Sequence, residues 1–241
     1  MDRPTRAGTH AQAAQGNQDD APGSGADALQ AAAAILEEDI VFGLLSPRER
    51  LVEDDLMARF GLKRHVVRQL LVTLEGMGVV ERKRNIGAVV RAFPAREVME
   101  LYALREVLEA HAASLIALPV PPVRLQALVS VQQEHDAAVA AGDARAVFRI
   151  NQRFHRELFA LVDNAVLRQA IEEYARRAHP IRFGSLAAAG YRERARQEHW
   201  AMIEALREGR REALIALCRN HLLPSRDAYL AAERERAGGP A

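Results

Sequence analysis

Cysteine, lysine, aromatic rings and long apolar runs are all scarce in this chain of 241 residues. A single cysteine, Cys218, excludes an intramolecular disulfide and suits a reducing compartment. No apolar run approaches the roughly 20 residues needed to cross a bilayer, and residues 1–27 lack the apolar centre of a signal peptide. A cytoplasmic protein with no membrane partner is expected. Lysine occurs only at Lys63 and Lys83, and arginine supplies the rest of the 33 basic residues. Arginine elsewhere is too common to mark a site by type alone. The formal net charge is +1, so bulk charge announces no nucleic-acid or membrane partner.

The distribution of charge says more. Residues 28–58 hold seven acidic and two basic side chains, whereas residues 59–91 hold eight basic and two acidic. Such asymmetry marks an interaction face. The length allows one large or two modest domains with ample core. Residues 1–27, rich in Ala, Gly, Gln and Asp, bury too little to offset ordering entropy, as does the tail over 235–241. Both are expected to be disordered.

Between these tails the hydrophobic period identifies elements. Leu29, Leu36, Ile40 and Leu44 share one face of a helix over 29–45, which Pro47 breaks. Leu56 and Phe60 continue helical spacing, Gly61 interrupts it, and Val67, Leu70, Leu71 and Leu74 predict a helix over 64–77. After Gly78 the residues become β-rich. Val79–Lys83 and Ala88–Phe93 flank RNIG, whose Asn and Gly suit a hairpin turn. Helix, helix, turn, helix and hairpin make a winged helix-turn-helix over residues 28–92.

In that arrangement the second helix of the motif lies in the major groove, its first residues nearest the bases. Lys63, Arg64 and His65 occupy that end, and Arg68 follows one turn later. Cations there oppose the helix dipole, so folding alone does not favour them; a double-stranded DNA partner does. Arginine can fork onto guanine, while lysine mainly neutralises phosphate. Arg82, Lys83 and Arg84, read on the first wing strand, are placed to grip backbone, and Gly87 lets the wing tip approach closely. A solvated basic face or a protein-docking module is the alternative.

Residues 93–95 read as a linker punctuated by Pro94, and residues 96–234 read as helix throughout. The expected helices are 96–118, 122–141, 143–162, 165–186, 190–208 and 210–234, an antiparallel bundle. The fold class is therefore mainly α with a small β-hairpin wing. Asn151 and His155, four apart, project from one helical face. His199 and His221 fall at nearly equal height on either side of Gly209, about 15–18 Å from the turn at ~1.5 Å per residue. Three imidazoles and an amide oxygen can thus meet. That set suits a divalent ion such as Zn or Ni with room for an exogenous ligand. Ordinary helix histidines, partly exposed or hydrogen-bonded, are the alternative. His111, His135 and His179 show no partner by spacing. Cys218, Phe154 and Trp200 read as core.

Residues 28–92 resemble the DNA-binding domain of GntR-type bacterial transcription regulators. The likeness rests on Pro47, Leu51, Glu53, Leu56, Gly61, Arg64, Val67, Arg68, Leu71, Leu74, Gly78 and the wing NIG, in fixed order. It implies that Arg64 and Arg68 read bases. Lys63 stands where the family usually has Ser, which removes a side-chain N-cap. His65, Val66 and Gln69 replace a common Thr, Pro and Glu, departures that bear on operator sequence rather than on DNA binding.

Residues 96–234 resemble the all-helical, FCD-type ligand-binding domain of the FadR subfamily, through LYALREVLEAHAA, NQRFHRELFALVDN, EHWAMIEALREGRREAL and RNHL. This resemblance implies a metal held by Asn151, His155, His199 and His221, with Asn in place of the commoner Asp. It also implies a small carboxylate effector, for which Arg105 is the candidate partner; a salt-bridge role for Arg105 is equally open.

The expectation is a homodimeric DNA-binding regulator rather than an enzyme. It would act as a repressor that meets a short inverted-repeat operator and is released by a small organic acid at a metal site. The main rival makes the divalent ion itself the signal. An enzymatic rival lacks a general base, because Glu198 projects about 100° around the helix from His199.

Overall fold

The computed structural model describes residues 24–182 and 188–238. Helix α1 (Ser24–Val41) buries Ala32, Ala33, Leu36 and Ile40. It starts ahead of the expected boundary, so residues 24–27 are helical rather than disordered; the rest of that expected tail, 1–23, lies outside the described residues. The helix ends before Gly43, which takes a φ of 75°, and the N–H groups of Leu44 and Leu45 turn back to the Asp39 carbonyl. Leu44 is consequently exposed, not on the buried face. A two-residue strand β1 (Arg50–Leu51) follows, too short to show an alternating pattern.

Helix α2 (Glu53–Phe60) closes on Gly61 in the left-handed region, φ 64°, a conformation glycine adopts without a Cβ penalty. Helix α3 (Arg64–Gly76) buries Val67, Leu70, Leu71 and Leu74 on one stripe. Strands β2 (Val80–Lys83) and β3 (Gly87–Val90) pair antiparallel, Val80 opposite Val90 and Lys83 opposite Gly87. Strand β1 adds to the free edge of β3, giving the order β1-β3-β2. Asn85 takes a left-handed φ of 66° in the turn, so Arg84 lies at the wing tip and not on the strand. One core joins α1, α2, α3 and the sheet.

The bundle begins with α4 (Ala95–Leu115), entered directly from Pro94. Residues 93–95 are a seated junction rather than a free linker: Phe93 is buried, and its N–H donates to the Tyr229 hydroxyl at 3.1 Å. Next come α5 (Pro122–Ala140) and α6 (Ala144–Phe159), the latter capped by Asp143, whose carboxylate accepts from the Ala146 N–H. Helix α7 (Ala165–Arg177) stops short of the expected 186, and a 3-10 turn, His179–Arg182, takes over. Pro180 lacks the N–H an α-ladder requires. Residues 183–186 lie outside the described residues. Helices α8 (Ala189–Glu208) and α9 (Arg211–Gly238) complete the bundle. Residues 235–238 are thus helical rather than disordered, and 239–241 lie outside the described residues.

The bundle core is built from Phe154, Leu158, Met202, Ile203, Leu206 and Leu214, with Cys218 among them. Burial pushes the Cys218 thiol far above its ordinary range, which leaves it a small apolar residue. The end of α1 meets the bundle through Val41 and Phe148. Among the described residues, no helix is long and apolar enough to cross a membrane.

Candidate functional site

Helix α6 projects His155, α8 projects His199 and α9 projects His221 to one point, where a ligand nitrogen from each lies within 4.8 Å of the others. The Nε2 atoms of His155 and His221 face each other at 3.2 Å. The outer nitrogens are held from behind. His221 Nδ1 lies 2.6 Å from Glu198 Oε2, and His199 Nδ1 lies 2.9 Å from Gln132 Oε1. The Gln132 amide cannot be turned over, because its Nε2 donates to Asp136 Oδ1 at 2.8 Å. Both Nδ1 atoms therefore donate, which turns each Nε2 toward the shared point. Phe154 stacks on His199 at 3.9 Å and fixes its plane.

Burial, and after it the neighbouring His221, hold the His155 and His199 rings well below the usual imidazole range. They are neutral at pH 7 and ready to donate lone pairs. His199 Nε2 is buried with no hydrogen-bond partner among the described residues. An orphaned acceptor of this kind is costly unless something binds it. The donor set fits a divalent ion: three imidazoles, two of them oriented by an oxygen behind.

Asn151 lies one turn before His155 and is buried. The two residues line a cavity of ≈ 220 Å³ with Arg105, Glu109, His179 and Arg182. Arg105 is nearly fully buried, and its Nη2 lies 2.8 Å from Glu109 Oε1. Its Nη1 has no partner among the described residues. Arg105 is thus both a salt-bridge partner and a donor beside the cavity; neither reading of the sequence excluded the other.

At the other end of the molecule, Lys63, Arg64, His65 and Arg68 are all exposed at the start of α3, and Lys63 occupies its N-cap without a side-chain cap. Arg64 Nη2 lies 2.6 Å from Asp54, and Arg68 Nε lies 3.2 Å from Glu53. The acids of α2 hold these guanidiniums extended in water, where such pairs stabilise by little and exchange readily. On the wing, Arg82 pairs with Glu75 at 3.3 Å and Lys83 with Glu81 at 2.9 Å, while Arg84 and Gly87 are exposed at the tip.

Comparison with known proteins decides the family. The profile described as "Bacterial regulatory proteins, gntR family" matches residues 29–90, and that described as "FCD domain" matches residues 100–223. This chain belongs to the GntR family, in its FCD branch. The regulator is 26% identical over 179 residues to the HTH-type transcriptional regulator YdhC of Bacillus subtilis, covering 74% of this chain and 80% of that one. It is 22% identical over 188 residues to the HTH-type transcriptional repressor RspR of Escherichia coli, covering 78% and 82%. Its fold matches a GntR transcriptional regulator from Rhodococcus sp. RHA1 with a TM-score of 0.70 at 23% identity, covering 86% of this chain and 99% of that one. The E. coli protein McbR/YncC matches with a TM-score of 0.66 at 20% identity, covering 88% and 99%. The protein is thus a DNA-binding transcription regulator with an FCD ligand-binding domain, from a family of regulators rather than enzymes.

Several residues of this GntR regulator's helical domain were invisible to spacing. Glu198 points away from His199, yet it reaches His221 on the next helix, because the α8–α9 turn brings the flank of one helix against the face of the other. Gln132 of α5 has no local signal. His135, one turn further on, is fully buried beside His199 with ring centroids 5.0 Å apart, and neither of its nitrogens finds a hydrogen-bond partner among the described residues. Burial pushes its imidazole down to about 4. His179 sits on the cavity wall, with Nδ1 2.6 Å from Glu37.

Proposed function

We propose that this regulator is a cytoplasmic homodimeric repressor that leaves a short inverted-repeat operator when a small organic acid binds beside a divalent ion. His155, His199, His221 and Asn151 would hold the ion, with Zn or Ni the best match to imidazole donors. When bound, it supplies a positive pole to which a carboxylate oxygen adds. Arg105 would receive the acid through its free Nη1. The convergence of three imidazoles beside a cavity lined by a buried arginine carries this reading.

Further support comes from the DNA end. Arg64 and Arg68 would fork onto base edges, Lys63 and His65 would flank them, and Arg82, Lys83, Arg84 and Gly87 would meet phosphate. Two subunits would present two α3 helices to two half-sites. The name of RspR, a repressor, supports the sign.

The test is metal content of the purified chain, paired with thermal unfolding across a library of small carboxylates. Near one divalent ion per chain and one stabilising acid are expected, with both effects lost in His155→Ala. A metal-free chain that an acid stabilises equally in His155→Ala would overturn the metal-assisted reading. DNA release by metal alone would make the ion the signal.

A further inference from the structure

The acidic excess before residue 59 has two parts. Glu53 and Asp54 serve the recognition helix, but Glu37, Glu38 and Asp39 do not. These three consecutive acids form the last turn of α1, and all are largely buried, with side-chain exposures of 12%, 7% and 2%. Their partners lie mostly in the other domain. Arg145 of α6 bridges Glu38 and Asp39 at 2.9 Å each, and Arg149 Nη2 lies 3.0 Å from Glu38. His179 of the 3-10 turn takes Glu37 at 2.6 Å. Asp39 gives its second oxygen to Arg59 of α2, so one carboxylate spans both domains.

Burial opposes ionisation of Glu38, yet the two arginine contacts prevail and hold its carboxyl below the usual range. Such acids cannot exchange partners singly without leaving a buried charge uncompensated. The turn is therefore suited to discrete arrangements rather than graded yielding.

Both arms that grip it lead back to the proposed metal centre. Helix α6 carries Arg145 and Arg149 toward α1, and its residues Asn151 and His155 line the cavity, with His155 in the histidine cluster. The 3-10 turn offers His179 to Glu37 and to the cavity at once. On its far side α1 shares one core with α3, through Leu36 and Ile40 on α1 and Leu70 and Leu74 on α3.

We infer that the acidic turn Glu37–Asp39 is the receiver through which occupancy of the His155–His199–His221 centre is passed to the recognition helix, with α6 and the 3-10 turn as its two arms. This inference rests on the metal reading above. His155 of α6, His199 of α8 and His221 of α9 would hold the ion together, and any shift of α6 on occupancy would carry Arg145 and Arg149 with it, because a helix moves as a rod. The α1 acids must follow, and α3 follows α1. The requirement is differential affinity of the ion for the two arrangements.

The experiment uses the full chain, stripped with a chelator, with zinc chloride as the probe. Amide hydrogen exchange is read at 24–41, 64–76 and 144–159, and bound zinc is measured in the same samples. Zinc is expected to slow exchange in all three segments by several-fold. In Glu37→Gln and in Arg149→Met, zinc still slows exchange at 144–159 while the response at 24–41 and 64–76 shrinks. Arg149 is 64% exposed, so its replacement leaves the core intact. Zinc bound with no response in 24–41, or a full response in both variants, overturns the receiver and leaves the metal centre standing. No bound zinc overturns the metal reading and the receiver with it.

Discussion

Glu198 is the residue on which the proposed metal centre can be tested most sharply. Its Oε2 accepts from His221 Nδ1 at 2.6 Å, its side chain is 17% exposed, and Arg194 Nε steadies its other oxygen at 2.7 Å. Burial opposes its charge, but the contacts with His221 and Arg194 outweigh that and hold its carboxyl below the usual range. A carboxylate behind a ligand histidine orients the ring and raises its basicity, and its loss typically lowers metal affinity 10–100-fold, about 1.4–2.7 kcal/mol. Glu198→Gln keeps an acceptor for the Nδ1–H and loses only the charge, so zinc affinity is expected to fall about tenfold. Glu198→Ala loses both and belongs near the hundredfold end.

The direct assay is zinc competition against a chromogenic chelator at pH 7.5. Unfolding gives an independent reading. Zinc at a hundred times its Kd stabilises by about 2.7 kcal/mol, and a tenfold weaker site leaves about 1.4 kcal/mol. Glu204→Gln is the control, because Glu204 lies on the same helix and pairs with Arg207 near the surface. Wild-type zinc affinity in both Glu198 variants would refute the reasoning, for it would remove His221 from the metal shell.

Other outcomes follow from the same geometry. Glu109→Gln leaves the buried Arg105 without its counter-charge and should destabilise the chain by about 3–5 kcal/mol in denaturant unfolding; recovery in the double variant with Arg105→Met would identify the unpaired charge as the cause. His135, His155 and His199 have imidazoles lowered in the folded chain, so below about pH 6.5 the unfolded chain binds more protons and stability falls. Each contributes about 1.4 kcal/mol per pH unit until its folded value is reached, and urea titrations of the metal-free chain at pH 7.5, 6 and 5 would show the slope. A flat profile would mean that these rings are solvated. At the DNA face, Arg64→Ala should cost about 1–3 kcal/mol and relax base preference in duplex binding, whereas Lys83→Ala should weaken all sequences alike and lower the salt slope by about one.

The local order of elements was legible because it depends on near neighbours. Apolar spacing over 64–77 anticipated the buried stripe of Val67, Leu70, Leu71 and Leu74, and Asn and Gly beside Ile86 anticipated a wing turn. Misreadings fell at ends. Strand β1 is two residues long and exists only because β3 offers it an edge. The end of α7 depends on Pro180, and the end of α1 on the backbone turn at Gly43. Arg84 was displaced from strand to tip by one left-handed residue, Asn85.

The histidines divide in the same way. By itself the sequence determined that His199 and His221 fall at matching heights on two adjacent helices, since a fixed rise per residue and a tight turn at Gly209 require it; that His155 meets them was implied by the family resemblance and not by spacing. It also placed the cations at the start of α3, where the helix dipole works against them and a nucleic acid favours them. Only the tertiary structure decided that Glu198 and Gln132 stand behind His221 and His199, that His135 is buried beside them, and that Arg105 keeps one nitrogen beside the cavity without a hydrogen-bond partner among the described residues. It alone turned Glu37, Glu38 and Asp39 toward the helical domain. Those contacts join residues more than sixty positions apart, or flanks of helices whose rotation about their axes is set by packing, and no periodicity within one helix encodes what lies against it.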